Sequence, residues 1–359
     1  MHRYFLSPEG EKALTRIAVI FAIIASAAYY LQVFGQGGFS GVYGRAKGYL
    51  AFSSGYLAEA TGLAVPAAIL LVFAWRRERW SLWRWVVVLA AISPVLLHAI
   101  LGARRGPAFL SLGGLAFAWF LFRARRPRIV PVLLTVGVIC FVVVFLFVNR
   151  PRIYIGSNKA LSVTDAFAFL TPSETEAGDD YLVATGAITV SHETGRHGWG
   201  RNYLITFLIR PIPKQLWPTK YQDAHRFFFG NSPPSGAENY REILGWEPPA
   251  GSASGAFADL YREFALLFVL AAYLYGAFFN LLWRRARIQH GVWLVLFTLA
   301  AALSIYVPTQ SVSAVFHRFL FAGIPTVILW KAVIPERRVP GSSVRAKRGS
   351  LTYASELPR

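Results

Sequence analysis

The chain has 359 residues, 55% of them hydrophobic, and a formal net charge of +19. Long apolar runs recur where a soluble chain of this length alternates apolar with polar residues, which excludes an ordinary soluble domain and points to an all-α polytopic membrane protein. The single cysteine, Cys140, excludes a disulfide framework and a paired-cysteine metal site, and the excess charge reads as basic loops beside anionic lipid rather than as a nucleic-acid surface.

Residues 1–12 are short and polar, and the apolar run behind them lacks a small-residue cleavage site, so the sequence predicts a retained first span rather than a signal peptide. About eight spans follow from the apolar runs, at 14–34, 57–75, 82–101, 107–122, 130–148, 256–283, 292–307 and 312–334. Each is near the roughly 20 residues that cross the hydrocarbon layer, 107–122 being the shortest. The chain thus divides into 1–148 with five spans, a large loop at 149–255, three spans in 256–334, and a basic tail at 335–359.

Basic residues set the expected orientation. Arg76, Arg77 and Arg79, then Arg123, Arg125, Arg126 and Arg128, then Arg284, Arg285 and Arg287, then the tail, all fall on one side if both termini are cytoplasmic. The opposite, outward side holds 35–56, the tight turn at 103–106, the loop 149–255 and the turn at 308–311. A connection of about 100 residues is too long to be structureless, and Tyr181, Leu182, Ala184, Ala187 and Val190 suggest an amphipathic helix within it. Prolines at 211–213, 233–234 and 248–249 mark turns. No internal repeat is visible, which argues against an inverted-repeat transporter.

Chemistry concentrates in three places on the outward side. In the turn from Gly102 to Pro107, Arg104 and Arg105 stand where little loop holds them in water. A helix restarting there directs backbone N–H groups and guanidinium groups at one spot, as a phosphate or pyrophosphate requires. Arg318, beside His317 just inside the last span, is an intramembrane charge and hence a functional candidate. The second place runs from Arg210 to Lys220, where prolines fix an extended backbone, Lys214 and Lys220 offer anion contacts and Trp217 offers a stacking face; a plain surface turn is the alternative. The third runs from Gly251 to Phe264 and carries Asp259, Tyr261 and Glu263; its alternative is an ordinary charge pattern at a helix start. His317, Asp259 and Glu263 are the candidate bases. No histidine or carboxylate has metal-ligand spacing, so neither metal nor cofactor is expected.

The stretch from Pro213 to Lys220, reading PKQLWPTK, resembles a motif of the O-antigen and oligosaccharide repeat-unit polymerases (Wzy-type). The small-residue segment 252–264 and the arginine-glycine turn at 103–106 are similar to that family's other motifs, in the same order and around a comparably long loop. Lys214 stands where the family has arginine, Thr219 where it has aspartate, Phe264-Ala265 where glycines are usual, and the family tends to have more spans. The resemblance implies a bacterial inner-membrane glycosyltransferase whose partner substrate is a polyprenyl-diphosphate-linked oligosaccharide, working beside a flippase and a chain-length regulator. It implies that Arg104, Arg105, Arg210 and Arg318 hold diphosphate, that Lys214, Trp217, Lys220 and Tyr261 shape the glycan site, and that one of the three candidate bases deprotonates the acceptor. An O-antigen ligase using the same donor and a lipid-linked sugar flippase are the rival expectations.

Overall fold

A computed structural model describes residues 7–46, 48, 55–123, 127–168, 180–230, 237–248, 252, 254–307 and 310–334. The expected tail at 335–359, Lys47, Arg125, Arg126, Asp179, the Pro233–Pro234 turn and Gly251 lie outside the described residues. All regular structure among the described residues is helical. In chain order the helices are α1 Pro8–Phe34, α2 Gly38–Tyr43, α3 Gly55–Gly62, α4 Ala64–Ala74, α5 Leu82–Leu101, α6 Arg105–Leu121, α7 Ile129–Val148 and α8 Thr164–Ala168. There follow α9 Asp180–Thr194, α10 Arg201–Leu204, α11 Lys220–Phe229, α12 Ala237–Leu244, α13 Gly255–Phe264, α14 Phe268–Gln289, α15 Val292–Leu303 and α16 Val312–Val333.

Six helical stretches among the described residues are long and apolar enough to cross a membrane: Pro8–Phe34, Tyr56–Ala74, Leu82–Leu101, Ile129–Val148, Gly255–Gln289 and Val312–Val333. The chain is therefore a membrane-embedded helical protein. The two other predicted spans, 107–122 and 292–307, are helices of shorter build: α6 has 17 residues, and α15 has 12 before a 3₁₀ turn at Ser304–Tyr306.

The centre of the bundle is α4, whose every residue is buried. Its sequence AVPAAILLVFA is apolar all round, which only a helix surrounded by others can be. It is enclosed by α1, α5, α6 and α15. Lipid tails are as apolar as leucine, so close backbone approach rather than hydrophobic exclusion draws such helices together. Gly113 and Gly114 of α6 provide it: a Cβ on Gly113 would stand 2.5 Å from Ile305 Cδ1, and one on Gly114 3.6 Å from Ala302 Cβ. By contrast α7 and α14 are mostly exposed along their lengths, with Leu133, Leu134 and Val138 on α7 and Val269, Leu270 and Leu274 on α14 bare, as suits a rim facing lipid.

The predicted span 256–283 is interrupted. α13 ends at Ala265, which takes a left-handed φ of 49°, and a 3₁₀ turn at Ala265–Leu267 leads into α14. α13 is amphipathic and packs on α9 of the long loop, around Ala187, Val190, Tyr240 and Ala258. The predicted amphipathic helix is thus present as α9, but its buried face is Val183, Ala187 and Val190, while Tyr181 and Leu182 are exposed. The apolar residues 181 and 182 sit at the start of the helix, off the stripe that α13 covers.

Candidate functional site

The end of α5, the start of α6, the end of α7, the start of α16 and helix α3 meet around a cavity of about 580 Å³. Its charged lining consists of Glu59, Arg104, Arg105, Arg150, Arg210 and Arg318 among the described residues. Val143, Val144 and Phe147 of α7 and Phe109 and Leu110 of α6 supply an apolar side.

The turn between α5 and α6 brings in the first two arginines. Ala103 adopts φ of 46°, a conformation that strains a residue with a Cβ, and Arg104 N bonds Ala99 O at 2.9 Å. α6 then starts at Arg105 with Pro107 in its first turn, where a missing N–H costs nothing. Gly106 fits because a Cβ there would meet the Tyr306 ring at 2.8 Å. Arg104 Nη2 donates to Gly48 O at 2.9 Å, and the Arg105 guanidinium lies 5.5 Å from the centre of the Phe147 ring.

The other cations come from distant parts of the chain. Arg150 follows the last turn of α7; its Nε is buried with no hydrogen-bond partner among the described residues. Burial first, and then the nearby Arg104 and Arg105, push its guanidinium below the ordinary value, a sign of like charges crowding one space. Arg210 closes a π-helical turn at Ile205–Ile209, held over α16 by the ring pair Phe207–Phe316. Arg318 donates to Gln310 Oε1 at 2.6 Å and lies over the Tyr306 ring at 4.7 Å.

One carboxylate sits among these cations in the described lining. Glu59 Oε1 accepts from Arg210 Nη2 at 3.0 Å, and His317 Nδ1 lies 3.3 Å from the same oxygen. His317 is buried behind Glu59 and does not itself line the cavity. On the cavity's other flank, His98 Nδ1 is 3.1 Å from Tyr43 Oη, which is 3.0 Å from Tyr29 Oη, a buried polar chain running into the bundle.

The remaining predicted site residues stand elsewhere. Asp259 accepts from Tyr203 Oη at 2.6 Å and from Val312 N at 3.0 Å, tying α13 to the start of α16. Glu263 accepts from Asn202 Nδ2 at 2.5 Å and from Gly200 N at 3.1 Å, and presses against Gly198. Lys220 is buried, and its Nζ donates to the carbonyls of Ile209, Arg210 and Ile212, so it closes the turn that presents Arg210. Burial, and then Lys214 and Arg210, hold that ammonium below its usual range. Trp217 Nε1 donates to Asp223 Oδ2 at 2.7 Å, Lys214 is exposed with its Nζ 5.8 Å from the Tyr221 ring centre, and Tyr261 Oη is 3.2 Å from His192 Nδ1.

The structure therefore gathers Arg104, Arg105, Arg210 and Arg318 into one cavity and keeps Lys214, Trp217, Lys220, Asp259, Tyr261 and Glu263 out of its lining. It adds Glu59, Arg150 and Gln310, which sequence reasoning did not select. Glu59 carried a legible signal: it is a lone acidic residue in an otherwise apolar run, and an ionisable group at membrane depth is a candidate by default. No metal-binding group of three or more His, Cys, Asp or Glu occurs among the described residues. Comparison with protein-family models, curated proteins and solved structures finds no match to this chain.

Proposed function

We propose that the chain is a membrane glycosyltransferase that polymerises polyprenyl-diphosphate-linked oligosaccharide repeat units. The observation that carries this reading is the cavity in which Arg104, Arg105, Arg150, Arg210 and Arg318 outnumber the single described carboxylate and adjoin an apolar wall. A lipid diphosphate has the same make-up: a compact polyanion joined to a long hydrocarbon. Guanidinium groups fork onto phosphate oxygens and keep their charge even in a half-dry site. They stabilise the charge that develops on a departing diphosphate.

The reading extends to topology. The cavity lies at the end of the bundle opposite Arg76, Arg77, Arg79, Arg123, Arg284, Arg285 and Arg287, which end helices at the other side. With those residues cytoplasmic by the charge rule, the cavity faces outward, and α6 and α15 complete a set of eight spans. The inner membrane of a bacterium is the setting this implies. The resemblance of residues 213–220 to the repeat-unit polymerases favours polymerisation over ligation or transport.

The test is direct. Protein purified into nanodiscs and given a lipid-diphosphate-linked oligosaccharide should yield a ladder of longer glycans without added metal. Absence of any transfer with the native repeat unit would overturn the proposal.

A further inference from the structure

We infer that Glu59 is the base that deprotonates the acceptor sugar, and that donor binding releases it from Arg210 for that task. The inference rests on the transfer reading above. Of the carboxylates in question, Glu59 alone lines the cavity; Asp259 and Glu263 are each occupied by two hydrogen bonds elsewhere. His317, a candidate base from sequence, is not in the cavity lining and meets it through Glu59 and the Phe321 ring. It is thus placed to position the carboxylate rather than to touch the sugar.

Both interactions of Glu59 fall on Oε1: Arg210 Nη2 at 3.0 Å and His317 Nδ1 at 3.3 Å. No hydrogen bond or ion pair among the described residues falls on Oε2, and the inference gives that oxygen to the acceptor. Pairing with Arg210 makes Glu59 a weaker base than it is once that guanidinium withdraws, because a neighbouring cation stabilises the charged carboxylate. A diphosphate arriving beside Arg104, Arg105, Arg150 and Arg318 competes for Arg210, and the forked contact to phosphate is the stronger one. Glu59 then keeps His317, and its basicity rises only once the leaving group is seated.

The step balances without a cofactor. Glu59 Oε2 takes the proton of the acceptor hydroxyl. The oxygen's electron pair forms the new bond to the donor's anomeric carbon, and the bond from that carbon to the phosphate oxygen breaks. Its electron pair remains on the lipid diphosphate, held by the arginines, and the proton later passes from Glu59 to water. Among the described residues, the charged and titratable groups that share this cavity with Glu59 or touch it are Arg210 from the long loop, His317 and Arg318 from α16, Arg104 and Arg105 from the α5–α6 turn, Arg150 after α7, His98 from α5 and Tyr306 after α15.

Glu59→Gln and Glu59→Asp, in nanodiscs, test this with two readouts: ladder formation from the lipid-linked substrate across pH, and binding of farnesyl diphosphate as a probe. Glu59→Gln should lower transfer by about 10²- to 10⁴-fold, the span typical of a lost general base, and erase the acidic limb of the pH profile. It should leave probe binding equal or tighter, because Arg210 no longer has a carboxylate to surrender. Glu59→Asp should keep an acidic limb at reduced rate. Wild-type turnover in Glu59→Gln, or equal loss of probe binding and transfer in both variants, overturns the assignment. A wild-type protein that forms no ladder overturns the transfer reading itself, and that result is visible before any variant is compared.

Discussion

In the 180–264 segment, Asp259, Glu263 and Lys220 each collect close hydrogen-bond partners; among the described residues lining the cavity, five guanidinium groups share the space with one carboxylate. Charge of the first kind holds a fold together. An unpartnered buried polar group is costly, so a carboxylate that collects two donors is a brace between segments. Charge of the second kind is not braced in this way: the Arg150 Nε is buried without a hydrogen-bond partner among the described residues, and Arg104 and Arg105 lie near it. On the proposed reading such a site is retained for what it binds, and the contrast then separates charge that acts on substrate from charge that braces the fold.

The comparison can be broken most easily at the cavity. Replacing Arg104, Arg210 and Arg318 together by alanine should reduce transfer by more than about 10³-fold, since one donor to a developing oxyanion is typically worth 10² or more. The triple variant also loses the bonds to Gly48, Glu59 and Gln310, so its melting temperature should fall, and transfer is compared below the melting range. Transfer that survives would remove the arginines from the mechanism. On its own, Arg150→Ala should weaken farnesyl diphosphate binding about tenfold, some 1.4 kcal/mol. Titration by fluorescence competition would check this, and the melting temperature should hold or rise as crowding eases.

In the 180–264 segment the expected pattern reverses. Glu263→Ala strands the donors of Asn202 and Gly200 and should cost about 1–3 kcal/mol of stability in a melt, with residual transfer below the melting range. A variant that melts like wild type yet transfers nothing would place Glu263 in the chemistry and break the comparison. Lys214→Ala, at an exposed position, should change stability by no more than about 0.5 kcal/mol. The smallest effect is a pH dependence. Hydrogen bonds from Thr219 Oγ1 and then Trp217 Nε1 hold the Asp223 carboxyl below its usual range. Its contribution is therefore complete above the unfolded carboxylate value of about 3.9 and is lost as pH falls through the lower folded value. Faster amide exchange in α11 at low pH, absent in Asp223→Asn, is the expected signature.

Much of this protein was legible from patterning. A helix that spans lipid must be apolar and of sufficient length, so composition and run length place the long helices within several residues of α1, α5, α7 and α16. Arginine in a tight turn between two spans or inside a last span is costly enough to stand out alone, which is why Arg104, Arg105 and Arg318 could be picked from the chain. The break at Ala265 was not legible, because an apolar run looks the same whether or not one residue turns left-handed. Nor were the roles of Lys220, Asp259 and Glu263. Their residue types suit both chemistry and bracing, and only the partners at Ile209, Val312 and Gly200 distinguish the two.

Local sequence settled the class of the molecule and the ends at which its charges lie, because hydropathy and positive charge act segment by segment. Which charges meet was a matter for the tertiary structure alone. Glu59 and Arg210 are 151 residues apart and share an ion pair because α3, the Arg210 turn and α16 converge, and no local propensity encodes such a meeting.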